Sequence, residues 1–190
     1  MKELLKDLSG IYVEIGVCWG GNSEFLLNNT PCKKLFSVDP YKHYPQSEYN
    51  DALNLSSQLQ LDQKYHLVKN TLSKYGNRSE LMRLESCDAR YAFRDKTLDF
   101  VYIDGNHSFE YAKEDILYWL PKIRVGGILA GDDVESLDLP HKDGSAYVEH
   151  IKGGPFGYYG VHTALQAVKN IYPWFSYKIE GNQFFWQRKF

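Results

Sequence analysis

Four short, mostly apolar runs in this chain stop at a glycine or an aspartate. Residues 11–15 lead into Gly16, 35–38 into Asp39, 98–103 into Asp104 and 127–131 into Asp132, and a weaker run covers 79–85. Runs this short suit strands covered on both faces. Between them lie stretches with apolar positions three and four residues apart: 22–29, parts of 48–73, 89–93 and 109–120. Alternation of this kind predicts a mostly parallel sheet with helices on both faces. Ligands of such sheets bind at the carboxyl ends of the strands, so the residues that stop the runs are the first candidates for a site. The C-terminus departs from the alternation. A helical stretch over 161–171 leads through Pro173 to two apolar runs, 175–179 and 184–188, on either side of Gly181-Asn182. That pattern predicts a hairpin, and with it a last strand that returns antiparallel.

At 190 residues the chain suits one domain spanning 1–190. A net charge of −2 and a pI near 6.3 argue against a binder of nucleic-acid backbones, and Lys33-Lys34 is too short a basic run to change that. No apolar run reaches 18 residues, so no membrane partner is expected. Residues 2–8 are too charged for a signal-peptide core. Cys18, Cys32 and Cys87 form no CxxC pair, which fits reduced thiols and a cytoplasmic location. Aromatic residues reach 15%, enough to fill a core and leave some rings for a pocket.

The first junction reads Glu14-Ile15-Gly16-Val17-Cys18-Trp19-Gly20-Gly21-Asn22-Ser23. Gly16 and Gly20 let backbone approach a ligand, and Asn22 or Ser23 can cap the next helix. The dinucleotide fingerprint GxGxxG needs glycine where this chain has Cys18. Glu14 weighs further against a pyrophosphate, because a carboxylate there favours a cationic ligand. Asp39, 25 residues after Glu14, is placed to accept from the two hydroxyls of a ribose or, alternatively, to hold a turn before Pro40.

Residues 98–134 read LDFVYIDGNHSFEYAKEDILYWLPKIRVGGILAGDDV. This segment resembles small class I methyltransferases dependent on S-adenosylmethionine (SAM) that share an IDG-x-H-S-(Y/F)-E segment, a W-L-P helix end and a glycine-rich strand ending in acids. The resemblance runs from Glu14 through Gly160-Val161 to the final hairpin. It departs at Cys18-Trp19, where related sequences often carry smaller or more polar residues. It implies an α/β, Rossmann-like, doubly wound sheet of seven strands, mostly parallel with an antiparallel C-terminal strand. It also implies that Ser86, Cys87 and Asp88, after the third strand, hold adenine; Asp88 could equally cap the following helix.

Asp104 ends the fourth strand, and Asp132 and Asp133 follow the fifth. Neighbouring parallel strands bring such ends to about 5 Å. Carboxylates that converge so closely repel unless a cation holds them, and oxygen ligands favour Mg²⁺, Ca²⁺ or Mn²⁺. The pattern is similar to metal-dependent O-methyltransferases acting on catechols. That likeness implies Asp104, Asp132 and Asp133 as metal ligands, with Asp133 where that family has Asn; Asp104 counts toward the cofactor side as well. His107, three residues after Asp104, suits a general base at neutral pH. A macrolide-sugar O-methyltransferase family that the segment resembles has the same Asp-x-x-His spacing. The stretch 134–159 is too long for an ordinary connection and reads as a substrate loop or lid.

Together these residues point to SAM-dependent methylation of a hydroxyl group on a small molecule, with Mg²⁺ or Mn²⁺ as second cofactor. The sequence is compatible with a homo-oligomer. Two rivals are an NAD-binding oxidoreductase, opposed by Glu14 and the hairpin, and a non-catalytic nucleoside binder, opposed by the clustered acids.

Overall fold

The computed structural model describes residues 1–45, 56–134 and 160–190. Strands β1 (Gly10–Ile15), β2 (Cys32–Val38), β3 (Ser79–Met82), β4 (Leu98–Ile103), β5 (Ile123–Gly131), β6 (Lys178–Glu180) and β7 (Gln183–Gln187) form one sheet. Their order is β3-β2-β1-β4-β5-β7-β6. The first five run parallel, and β7 lies antiparallel between β5 and β6. This is the seven-stranded, Rossmann-like arrangement expected from the sequence.

Helices α1 (Lys2–Leu5), α2 (Gly21–Asn29), α3 (Gln58–Ser73), α4 (Ser86–Ala89), α5 (Phe109–Trp119) and α6 (Val161–Ile171) cover the two faces. One apolar cluster joins Leu5, Leu26, Leu61 and Val68 to Tyr12 and Phe100 of the sheet. The other joins Ile116, Trp119, Leu165 and Phe175 to Val13, Val101 and Leu129. All six residues of β4 are buried, because the strand has neighbours on both edges and helices on both faces. Each large apolar side chain buried this way contributes about 1.5–3 kcal/mol. Among the described residues no helix is long and apolar enough to cross a membrane.

The strand at 98–103 and the helix at 161–171 fall where their periodicity predicts. Elsewhere the boundaries move for identifiable reasons. Within 48–73 the helix begins at Gln58, where Ser57 and Gln60 form a reciprocal capping box; 46–55 lie outside the described residues. The helix expected at 89–93 is one turn of α4 followed by a 3₁₀ turn at Arg90–Ala92. The run 175–179 is only partly strand. Phe175 is fully buried against Trp186, with ring centroids 5.5 Å apart, and β6 starts at Lys178. Of the expected loop 134–159, only Val134 lies among the described residues.

Candidate functional site

The sheet itself seats the residues that end its strands. The backbone N–H of Gly16 donates to Val38, that of Asp39 to Met82, that of Asp104 to Ile15 and that of Asp132 to Ile103. Each bond extends the parallel ladder one residue beyond its strand, so these positions are fixed by the core. Gly16 has φ 83°, and a Cβ there would lie 1.9 Å from the Asp104 carbonyl oxygen. Only glycine lets the loop after β1 press against the end of β4.

That loop is held by Asp39. Its Oδ2 accepts from the N–H groups of Val17 and Cys18, both at 3.0 Å, and its Oδ1 accepts from Tyr41 at 2.8 Å. The Tyr41 hydroxyl donates to the Cys18 carbonyl at 3.1 Å. Cys18 has φ 51°, so the loop keeps the left-handed turn of a glycine although cysteine occupies it. Such a turn costs roughly 1–2 kcal/mol for a residue with a Cβ, which these bonds offset.

Glu14 is 1% exposed and lies beneath the loop. Its Oε1 accepts from Asn22 at 2.9 Å, and its Oε2 accepts from Ser37 at 3.1 Å and from Ser23. It therefore ties the start of α2 to β1 and β2. Burial pushes its carboxyl up to about 7; the three bonds pull it down, and Asp104 pushes it further up.

At the carboxyl ends of the strands lies a cleft of about 200 Å³, space for several water molecules. Gly16, Cys18, Asp39, Ser86, Cys87 and Asp104 line it on the sheet side. Tyr41 and Tyr44 after β2, and Tyr111 and Tyr118 of α5, add aromatic walls. Lys64 of α3 is 6% exposed, with Nζ 3.9 Å from Cys18 Sγ and 4.5 Å from the centre of the Trp19 ring. Glu14, Gly20 and Asp88 are not among the lining residues, and Asp88 is exposed on α4.

Beside the cleft, Asp104, His107 and Asp133 each offer a ligand atom within 4.8 Å of the others. His107 Nε2 lies 3.4 Å from Asp104 Oδ1 and 3.3 Å from Asp133 Oδ2. Burial raises the Asp133 carboxyl above its ordinary value, and His107 draws it back. Asp132 points elsewhere: its Oδ2 accepts from the Tyr102 hydroxyl at 3.2 Å, and its Oδ1 accepts from the Asp133 N–H. The sequence grouped Asp132 with Asp104 and Asp133; the described structure groups His107 with them instead. The physical cause is backbone: Asp133 takes φ 56°, and the chain turns sharply between the two acids.

The C-terminal hairpin braces this corner. Asn182 Nδ2 donates to Asp133 Oδ1 at 2.8 Å, and Gln183 Nε2 donates to the Tyr102 hydroxyl at 2.6 Å. Neither residue was a candidate from the sequence, where Asn182 read only as turn chemistry. Asp115 was missed too. It lines the cleft at 7% exposure from the buried face of α5, among Ala112, Ile116 and Trp119. An acid at a position where the helical period calls for an apolar residue was the available signal.

Comparison with known proteins adds one family and several folds. A family profile described as "Methyltransferase domain" matches residues 13–134. No curated protein matches the sequence. Among solved structures, a protein of Corynebacterium glutamicum is 13% identical over 100% of this chain and 78% of its own, with a TM-score of 0.63. The O-methyltransferase NovP is 15% identical over 97% and 74%, also at 0.63. An rRNA methylase of Streptococcus thermophilus is 16% identical over 97% and 87%, at 0.55. At these identities the likeness is one of fold.

Proposed function

Because this chain belongs to the methyltransferase-domain family, as a class I SAM-dependent member, we propose that it transfers a methyl group from SAM to a hydroxyl oxygen of a small molecule, with a divalent cation at Asp104 and Asp133, beside His107. The observation that carries the reading is the convergence of these three side chains beside the cleft. Two carboxylates held this close favour a cation beside them, and oxygen-rich donor sets suit Mg²⁺ or Mn²⁺. Ligand atoms within 4.8 Å of one another are compatible with metal–ligand bonds of about 2.0–2.6 Å. A bound cation would supply Lewis acidity, lowering the pKa of the acceptor hydroxyl.

SAM supplies the electrophilic methyl carbon. The chain's part is alignment, proton removal and exclusion of water. In this reading Asp39, where β2 ends, fixes the loop that would lie under the nucleoside, and Ser86 and Cys87 of the cleft lining would face its adenine. The side chain of His107 is only 12% exposed and its Nε2 faces the two carboxylates. With the cation held by the two carboxylates, the His107 ring would take the acceptor's proton as general base. The specific observation that favours a second role is the same geometry: Nε2 is also within reach of a shared cation, as a third ligand.

The test is release of S-adenosylhomocysteine from SAM across a panel of small hydroxyl acceptors, with and without chelator. We expect turnover that chelator abolishes and Mg²⁺ or Mn²⁺ restores. Full turnover in excess chelator would remove the cation from the reading and leave the methyltransferase activity. Transfer only to nitrogen or carbon acceptors would overturn O-methylation.

A further inference from the structure

Tyr102 and Gln183 take no part in the proposed chemistry, yet both are tied to the turn that carries Asp133. We propose that Tyr102 is a positioning residue: a one-way chain of hydrogen bonds from Gln183 through Tyr102 to Asp132 holds the turn that aims Asp133 at the cation. This rests on the reading of Asp104 and Asp133 as the ligands of that cation.

The direction of the chain follows from what each group can do. Asp132 is used twice as an acceptor: Oδ1 takes the Asp133 backbone N–H at 3.0 Å, and Oδ2 lies 3.2 Å from the Tyr102 hydroxyl. A carboxylate only accepts, so the hydroxyl hydrogen points to Asp132. The Tyr102 oxygen is left as an acceptor, and the Gln183 amide N–H fills it at 2.6 Å. Tyr102 is 2% exposed. Burial, then the charges of Asp132 and Asp104, push its hydroxyl above the ordinary value, so the hydrogen stays in place.

The chain ends where the backbone is strained. Asp133 has φ 56°, a conformation that a residue with a Cβ keeps only where its surroundings enforce it. One hairpin turn supplies that enforcement. Gln183 acts through Tyr102 on Asp132, Asn182 Nδ2 donates to Asp133 Oδ1 at 2.8 Å, and the Asn182 carbonyl accepts from the Val134 N–H at 3.0 Å. Three consecutive residues are thus held from two, and Asp133 Oδ2 is left facing His107 Nε2 at 3.3 Å.

The test is Mn²⁺ titration followed by electron paramagnetic resonance on the wild type, Tyr102→Phe, Gln183→Glu and the double variant Gln183→Glu with Asp132→Asn. Tyr102→Phe removes the link and should weaken Mn²⁺ binding about 10- to 100-fold, the scale for a residue that orients a metal ligand. Gln183→Glu puts an acceptor on both sides of one hydroxyl, so Asp132 loses its donor and binding should weaken likewise. In the double variant the amide stands at 132 and the carboxylate at 183. The chain then runs in reverse, the amide oxygen still takes the Asp133 N–H, and most of the affinity should return. Charge alone predicts the opposite order, because the added acid would tighten Mn²⁺ and its removal at 132 would cancel the gain. Unchanged or tighter binding in Gln183→Glu would overturn the assignment. So would a Tyr102→Phe protein with a lower denaturant midpoint and wild-type Mn²⁺ affinity, the mark of a merely structural brace. No Mn²⁺ bound by the wild type would overturn the cation reading and this assignment with it.

Discussion

On the β1–β2 side of the cleft, Glu14 and Asp39 use their oxygens on the protein itself, whereas across it Asp104 and Asp133 turn theirs toward one another and toward His107. Glu14 accepts three side-chain bonds and Asp39 three backbone bonds. Acids satisfied in this way build a platform, and changing them costs stability. On the other side, repulsion between carboxylates is offset within the protein by one histidine and one asparagine. An arrangement that is poorly compensated alone, but compensated by a ligand, is where chemistry is expected.

The sharpest way to break that contrast is His107→Ala. If His107 is the base, turnover should fall by about 10²–10⁴ while Mn²⁺ and SAM affinities hold. If it is a ligand, Mn²⁺ affinity should fall together with turnover. Near wild-type turnover would move the working chemistry away from this corner altogether.

Asp39→Ala tests the platform side. It leaves the N–H groups of Val17, Cys18 and Tyr41 without their acceptor, at a loop already turned left-handed at Cys18. Stability should fall by about 2–4 kcal/mol in a denaturant titration, and SAM affinity should fall with it. A loss of SAM affinity with no change in stability would mean that Asp39 serves the ligand alone.

Glu14 gives a smaller and pH-dependent effect. Its folded value near 7 lies above its ordinary 4.5. Its contribution is therefore complete below about pH 4.5 and is lost as pH rises through 7, because only the unfolded chain ionises freely over that window. Stability of the ligand-free protein should decline across it by about 1–3 kcal/mol from this group, and Glu14→Gln should flatten the slope. An unchanged slope would place Glu14 in a more polar setting than its burial implies.

Much of this was legible in the sequence because burial is written in periodicity. A strand covered on both faces reads as a mostly apolar run, as 98–103 does apart from Asp99, and the helix at 161–171 carries one apolar stripe. The residues that end the strands were legible for the same reason: Gly16, Asp39 and Asp104 line the cleft. What could not be read depends on contacts between distant segments. Asp132 and Asp133 are adjacent, and which of them faces His107 is decided by a left-handed turn and by Asn182, 49 residues away. Lys64 and Tyr41 reach the cleft through the packing of α3 and the turn after β2, which no local pattern encodes. The family match sets aside the oxidoreductase alternative that the glycine loop alone left open.

The central claim is that Asp104 and Asp133, beside His107, form a divalent-cation site serving methyl transfer. Electron paramagnetic resonance of Mn²⁺ titrated into the protein, with S-adenosylhomocysteine present, tests it directly. The account predicts one bound Mn²⁺ per chain, lost in Asp104→Asn and in Asp133→Asn and retained in Asp132→Asn. Free Mn²⁺ signal undiminished by the wild-type protein would contradict it, as would binding that survives both Asp104→Asn and Asp133→Asn.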